Sequence, residues 1–315
     1  MKDGFSLRGN HRAESLLKAL SRQGHAHAIL IEGPGGSGKS SFARRFAMTV
    51  LCRGEKDRPC LECISCRKVI GGNHPDLHIY EGEKKPGGFH VDTVRGARAQ
   101  AFVLPNESDR KVLLLEDCET MTQHGQNALL TILEDPPPSA VFILTAKGRQ
   151  ELLPTILSRV NVIGLELLSH SLCEEVLAEL LPQSSPEERK AAARRANGSV
   201  GAASAFISGK DDSANEADAL FAHIAKGEEM AALIIMKKYE KDRAGLMDLL
   251  ESLKSYISQL VPEGDFRHGN AIITRRELYE LCEITDDAIL AARSNVGGLL
   301  LGGSFCAKMA QALQE

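Results

Sequence analysis

The chain has 315 residues, 43% hydrophobic and 25% charged, which is more than one ordinary core uses, so composition predicts two or three domains and excludes wholesale disorder. A formal net charge of -4 excludes a broad basic surface that would hold nucleic acid by phosphate neutralisation alone. No run of about 18 apolar residues is present, and Met1-Lys2-Asp3-Gly4 lacks a signal-peptide core, so the expectation is a protein that neither spans a membrane nor is secreted, and resides in the cytoplasm.

Short apolar runs at His27 to Glu32, Leu77 to Tyr80, Lys111 to Glu116, Val141 to Thr145 and Asn161 to Leu165 alternate with helix-like segments. That alternation predicts an α/β fold with a parallel sheet covered by helices. Beyond Leu165 the strand signals stop. Ser185-Pro186-Glu187-Glu188 reads as a helix start, with a capping hydroxyl, proline in the first turn and acids at the positive end of the dipole. The polar stretch Ser208 to Ser213 reads as a linker, and Ala217 to Glu315 reads as helical throughout. The expected division is 1–165, 166–209 and 215–315.

Directly after the first predicted strand stands Gly33-Pro34-Gly35-Gly36-Ser37-Gly38-Lys39-Ser40, which fits G-x-x-x-x-G-K-[ST] in its required strand-to-helix setting. Gly33, Gly35, Gly36, Ser37 and Gly38 would turn backbone N–H groups toward phosphate oxygens. Lys39 would reach the terminal phosphates of ATP, and the Ser40 hydroxyl would be a Mg2+ ligand. Next come Cys52, Cys60, Cys63 and Cys66, spaced C-x7-C-x2-C-x2-C. In a reducing compartment clustered cysteines suit a metal better than disulfides, and four thiolates suit a closed tetrahedral Zn2+ site that stiffens an insertion and leaves no position for catalysis. Cys118, Cys173, Cys282 and Cys306 are scattered and read as core residues.

The third strand ends in Glu116-Asp117. These acids could hold magnesium and polarise water, or simply end a strand at the carboxyl edge. Hydrolysing members of the P-loop superfamily have Asp then Glu. The reversed order displaces each carboxylate by about one methylene, and displacements near 1 Å can cost about a hundredfold in rate, so hydrolysis is in doubt.

These segments, with His74-Pro75-Asp76-Leu77, Val91-Asp92-Thr93-Val94-Arg95, Asp117 to Thr122 and Asn127 to Pro137, resemble the delta prime family of bacterial DNA polymerase III clamp loader subunits. The resemblance implies an AAA+ P-loop domain with a five-stranded parallel sheet and zinc loop, then a small helical lid and an all-helical collar. It implies a place in a hetero-oligomeric ring with delta and gamma/tau subunits that loads the sliding clamp on primed DNA in replication. Leu157-Ser158-Arg159-Val160 resembles the Ser-Arg-Cys motif of the family, with valine for cysteine, so Arg159 is expected to act as an arginine finger in a neighbour's ATP site rather than as an ordinary surface ion pair. A motor subunit would carry a sensing arginine in Gly-Ser-x-Arg, whereas this chain reads Gly198-Ser199-Val200-Gly201. A polar γ-phosphate reader is expected near Ala146. The nearest candidate, Thr145, lies one place away, and such an offset on a strand reverses the face. Asn295 to Leu301 resembles the collar-building segment and serves either an oligomer interface or its own domain's packing. The resulting expectation is an ATP-binding stator with weak or absent hydrolysis. The alternatives are an active gamma/tau-type ATPase motor and a zinc-bearing P-loop enzyme outside replication.

Overall fold

In a computed structural model, residues 9–22, 26–54, 58–82, 88–209, 212–268, 271–294 and 297–313 are described. Met1 to Gly4, Lys210 and Asp211 of the expected linker, and Asn295 and Val296 lie outside these residues. The chain divides into two compact units, Met1–Leu172 and Cys173–Glu315.

The first unit runs α1 (His11–Arg22), β1 (Ala28–Glu32), α2 (Lys39–Leu51), α3 (Ile64–Ile70), β2 (Leu77–Glu81), α4 (Val91–Ala101), β3 (Lys111–Glu116), α5 (Gln123–Glu134), β4 (Ala140–Ala146), α6 (Pro154–Leu157) and β5 (Asn161–Gly164). The five strands form one sheet in the order β2-β3-β4-β1-β5, and every pairing is parallel. Strand alternation splits the apolar runs between two cores. Ile29, Ile31, Val112, Leu114, Val141 and Ile143 face Phe42, Phe46 and their neighbours on one side. Leu30, Leu113, Leu115, Phe142 and Leu144 face Phe89, Leu129 and Ile132 on the other. Burial of both faces explains why β3 and β4 read as unbroken apolar runs.

The edge of this sheet is fixed by Asp76, whose side chain is fully buried ahead of β2. Its carboxylate accepts from the backbone N–H groups of Asn106 (2.5 Å), Glu107 (2.9 Å) and Ser108 (2.8 Å), while its own N–H donates to His74 Nδ1 at 3.1 Å. Lys68 reinforces the same loop through Glu107 at 2.6 Å. The His74-Pro75-Asp76 segment thus clamps the α4–β3 connection, which leads straight into the acidic strand.

Residues 166–172 stay with the first unit, for two reasons. The Asn10 side chain exchanges hydrogen bonds with the Glu166 backbone (3.2 and 3.0 Å), and Leu168 and Leu172 close over Gly9.

The second unit comprises most of α7 (His170–Leu180), then α8 (Pro186–Arg195), α9 (Val200–Ile207), α10 (Asp212–Ala225), α11 (Glu229–Lys238), α12 (Arg243–Leu260), a hairpin of β6 (Phe266–His268) and β7 (Ala271–Ile273), α13 (Arg275–Arg293) and α14 (Gly298–Ala312). The helix start read at Ser185 forms, and Ser185 and Glu188 close it as a capping box. Two features differ from the sequence expectation. α10 starts at Asp212, inside the stretch read as linker, because Asp and Ser favour a helix start as readily as a turn. The β6–β7 hairpin interrupts the helical region with strands too short to carry a periodicity. Leu220, Phe221, Leu249, Leu253, Leu278, Leu281 and Phe305 centre the core of α10 to α14. Arg195 ties α8 to this core: its guanidinium lies 4.0 Å over Phe206 and pairs with Asp218, and its carbonyl accepts from Gln259.

Burial by itself would raise the Asp76 pKa, but the three N–H donors outweigh it and hold the carboxyl below its usual range. An acid with a depressed folded pKa stabilises fully above its unfolded value of about 3.9, and that stabilisation fades as pH falls through the folded value. Asp76→Ala, which strands three part-buried donors around a buried site, is expected to cost about 2 kcal/mol in denaturant unfolding at pH 7. The difference from the native chain should shrink when the comparison is repeated below about pH 3.

Candidate functional site

Gly33 to Ser40 joins β1 to α2 at the carboxyl edge of the sheet. Gly33 packs so tightly that a Cβ there would lie 2.7 Å from the Leu165 carbonyl oxygen, and Gly38 caps α2 at φ 88, a left-handed conformation that glycine adopts without strain. Space is open beside Gly35 and Gly38, where backbone approach to a ligand needs it, and Gly36 is also left-handed at φ 72. Lys39 is folded onto its own loop, donating to the carbonyls of Gly33 (2.7 Å) and Pro34 (3.0 Å). Its burial lowers its pKa, against the pull of Glu119 and Asp117. The Ser37 hydroxyl is buried with no partner.

Glu116 Oε1 is buried and unpartnered, and the Ser40 hydroxyl is among the groups that draw the Glu116 pKa down. Burial raises the Glu116 pKa, opposed by Arg44 of α2 and supported by Glu81, its register partner on β2. A buried acid beside the loop's hydroxyl, with an unused oxygen, fits a divalent cation held between Ser40 and Glu116. Asp117 turns away from the strand at φ 56, and its N–H donates to Thr145 Oγ1 at 3.0 Å. Thr145 is 1% exposed. Its oxygen therefore ties the ends of β3 and β4 together and sets the direction of the acidic turn.

Two charged residues that the sequence reading did not single out belong to this site. Glu119, in the short turn after β3, has a buried Oε2 with no partner, and burial raises its pKa while Lys147 and Lys39 draw it back. Lys147 follows β4 and is exposed. Glu119 lies in the Asp117 to Thr122 segment of the family resemblance, whereas Lys147 lies in none of the quoted segments, and the topology brings the ends of β3 and β4 to the same edge as Lys39.

The cysteine cluster sits between α2 and α3. Cys52 ends α2, Cys63 is the N-cap of α3 and Cys66 lies in its first turn. The four sulfurs lie within 4.8 Å of one another, with separations of 3.5 Å (Cys52–Cys60), 4.0 Å (Cys52–Cys63) and 4.0 Å (Cys60–Cys66). A tetrahedral ion with bonds of about 2.3 Å needs ligand separations near 3.8 Å, so the donors fit a closed four-thiolate metal site. Backbone N–H groups of Gly54, Cys60, Cys63 and Cys66 point at the sulfurs at 3.3 to 3.4 Å and favour the thiolate form. Cys52 and Cys66 are buried in the α2-side core, which anchors the loop.

Arg159 lies elsewhere. It follows α6 and precedes β5, at the amino edge of the sheet. Its guanidinium donates to Glu134 Oε1 (2.9 Å), the Thr155 carbonyl (2.7 Å) and Ser158 Oγ (3.0 Å), on an open surface hollow lined also by His27, Pro136 and Asn161. The buried Gln126 side chain holds α6 in place, donating to the Glu151 carbonyl and accepting from the Leu153 N–H. Gly201, at the position expected for a sensing arginine in a motor, lies in the first turn of α9.

A family model described as "DNA polymerase III, delta subunit" matches residues 9–169. The chain belongs to this family. The DNA polymerase III subunit delta' of Pseudomonas aeruginosa is 36% identical over 167 residues, covering 53% of this chain and 51% of the relative. The delta' subunit of Bacillus subtilis is 29% identical over 166 residues, 52% of this chain and 49% of the relative. The tau subunit of that organism is 33% identical over 150 residues, 47% of this chain and 26% of the relative. The chain thus spans about half the length of the delta' relatives it matches. A DNA polymerase III gamma subunit-related protein from Thermotoga maritima shares the fold, with a TM-score of 0.56 over 95% of this chain and 98% of that one at 20% identity. The five-stranded sheet with its phosphate loop, and the helical segments after it, are the fold shared with that protein.

The cysteine geometry predicts that the purified chain carries about one metal ion, that cobalt substitution gives the absorption of a tetrahedral thiolate site, and that Cys63→Ser abolishes both. A folded chain with four freely titrating thiols and no bound metal would contradict the assignment.

Proposed function

We propose that this chain is a stator subunit of a DNA polymerase III clamp loader, joining delta and gamma/tau subunits in a ring that loads the sliding clamp on primed DNA. It acts in the cytoplasm, holds structural Zn2+ on Cys52, Cys60, Cys63 and Cys66, and binds ATP with Mg2+ through Gly33 to Ser40. Residues 1–165, 166–209 and 215–315 serve as AAA+ domain, lid and collar. Exposure of Leu299 (54%) and Leu300 (73%) at the start of α14 supports the use of the last as an oligomer interface.

The observation that carries this reading is the position of Arg159. Strands rise about 3.3 Å per residue, so the five residues of β1 alone put about 16 Å between the amino edge and the phosphate loop at the carboxyl edge. An arginine there cannot reach its own nucleotide, but it is free to meet one on a neighbouring subunit. Its planar fork suits the charge that spreads over a transferred phosphoryl group. Hydrolysis by this chain is weak in this reading, because Glu116 and Asp117 stand in reversed order and Gly201 replaces the sensing arginine.

The buried, unpartnered Oε1 of Glu116 favours a second reading, an active gamma/tau-type motor, because a magnesium ion needs such an oxygen.

Arg159→Ala should lower ATP turnover at the adjoining site of the reconstituted loader by about a hundredfold or more. The unfolding free energy of the isolated chain should change by less than about 1 kcal/mol, since the Glu134 pair is a surface contact. Unchanged turnover in a fully assembled loader removes the finger assignment.

A further inference from the structure

α5 follows β3 and so returns toward the amino edge of the sheet, where it ends at Glu134 because Pro136, Pro137 and Pro138 cannot continue it. An acid is poorly placed there. The carbonyl end of a helix carries partial negative charge, so a carboxylate in its last turn is disfavoured by its own helix, and this last turn holds no basic residue. The cation comes instead from Arg159, 25 residues on, whose Nη2 donates to Glu134 Oε1 at 2.9 Å.

The rest of the guanidinium is held as firmly. Nη1 donates to the Thr155 carbonyl at 2.7 Å and to Ser158 Oγ at 3.0 Å. The single Ser158 hydroxyl proton goes to the same Thr155 carbonyl at 3.0 Å, which turns the lone pairs of its oxygen to the guanidinium. Glu134, Thr155 and Ser158 thus fix the plane of the fork. A guanidinium carries more N–H donors than these acceptors use, and the side chain stays 33% exposed over the open hollow, so donors remain for an acceptor from outside the chain.

The Glu134 pair is half open to water, which gives it little weight in folding stability. What it supplies is direction. A free arginine samples many rotamers and must give them up when it binds, whereas one held by its own chain has met that cost already.

We propose that Glu134 is a positioning residue: its carboxylate, with the Thr155 carbonyl and Ser158, holds the Arg159 guanidinium in the orientation that meets a phosphoryl group on a neighbouring subunit. The inference rests on the reading of Arg159 as acting in trans. Glu134 touches no nucleotide itself, and all of its effect passes through Arg159.

The test is ATP turnover at the adjoining site of the reconstituted loader, with Glu134→Ala, Glu134→Gln, Arg159→Ala and the double variant Glu134→Ala/Arg159→Ala. Glu134→Ala should lower kcat about three- to tenfold, the worth of one immobilised side chain, and leave KM for ATP within about twofold, because the finger acts on charge that develops in the transition state. Glu134→Gln keeps an acceptor oxygen and should stay within about twofold of the native loader. Added to Arg159→Ala, Glu134→Ala should cost nothing more. Full or raised turnover in Glu134→Ala overturns the assignment, and so does a loss in Glu134→Gln equal to that in Glu134→Ala, or a loss that persists in full on top of Arg159→Ala. The two levels of the claim separate. Reduced turnover in Arg159→Ala with native turnover in Glu134→Ala keeps the finger and removes the role of Glu134. Native turnover in Arg159→Ala removes the finger and the inference with it.

Discussion

A parallel sheet has two chemically different edges, and the functional reading of this chain depends on that polarity. Every strand of the first unit points the same way, so every loop that follows a strand opens on one edge and every residue that precedes a strand lies on the other. Gly33 to Ser40, Glu116 to Glu119 and Lys147 fall on the carboxyl edge, and Arg159 falls on the amino edge. Buried apolar faces on both sides hold the strands in register, with Leu30, Ile31, Leu114, Leu115, Ile143 and Leu144 fully enclosed. A shift of one residue in β4 would exchange its two faces between the cores. Packing and chemistry are therefore one constraint in this unit.

Two local devices at the amino edge fix the segments that lead into the strands. One is the cysteine cluster, which closes the connection between α2, the helix that starts at Lys39, and α3. The other is Asp76, which draws residues 106–108 onto the start of β2 and so sets where β3 begins and where Glu116 ends. Both replace the stiffness that regular secondary structure would otherwise supply, one with metal-ligand chemistry and the other with a carboxylate saturated by N–H donors. Their proximity in sequence, Cys66 to Asp76, means that a single stretch carries both.

What could be read directly from the residues is what local patterns encode. The five strands were legible because continuous apolar runs between turn residues have no other soluble solution, and the phosphate loop and cysteine cluster because glycine and thiol spacing carry their own geometry. The start of α8 was legible from its capping Ser185, Pro186 and first-turn acids. Other features depend on distant partners. Asn10 opens α1, but its side chain serves Glu166, 156 residues away. Asp76 is only one acid among 42 acidic residues until its three donors arrive from the α4–β3 loop. Lys147 looks like an ordinary surface charge, and only the topology puts the end of β4 on the same edge as Lys39. The contact of Thr145 Oγ1 with the Asp117 N–H joins two strands and leaves no local sequence signal.

Binding without efficient turnover is the central claim, because it separates a stator from a motor that shares the fold, the phosphate loop and the acids. The most direct test is steady-state ATP hydrolysis by the purified chain alone, with Lys39→Ala as the control that removes the phosphate-binding cation and nucleotide binding measured on the same samples. The account predicts bound nucleotide and turnover no higher than that of Lys39→Ala. Substantial turnover that Lys39→Ala abolishes would contradict it, and would make Glu116 and Asp117 a competent pair despite their reversed order.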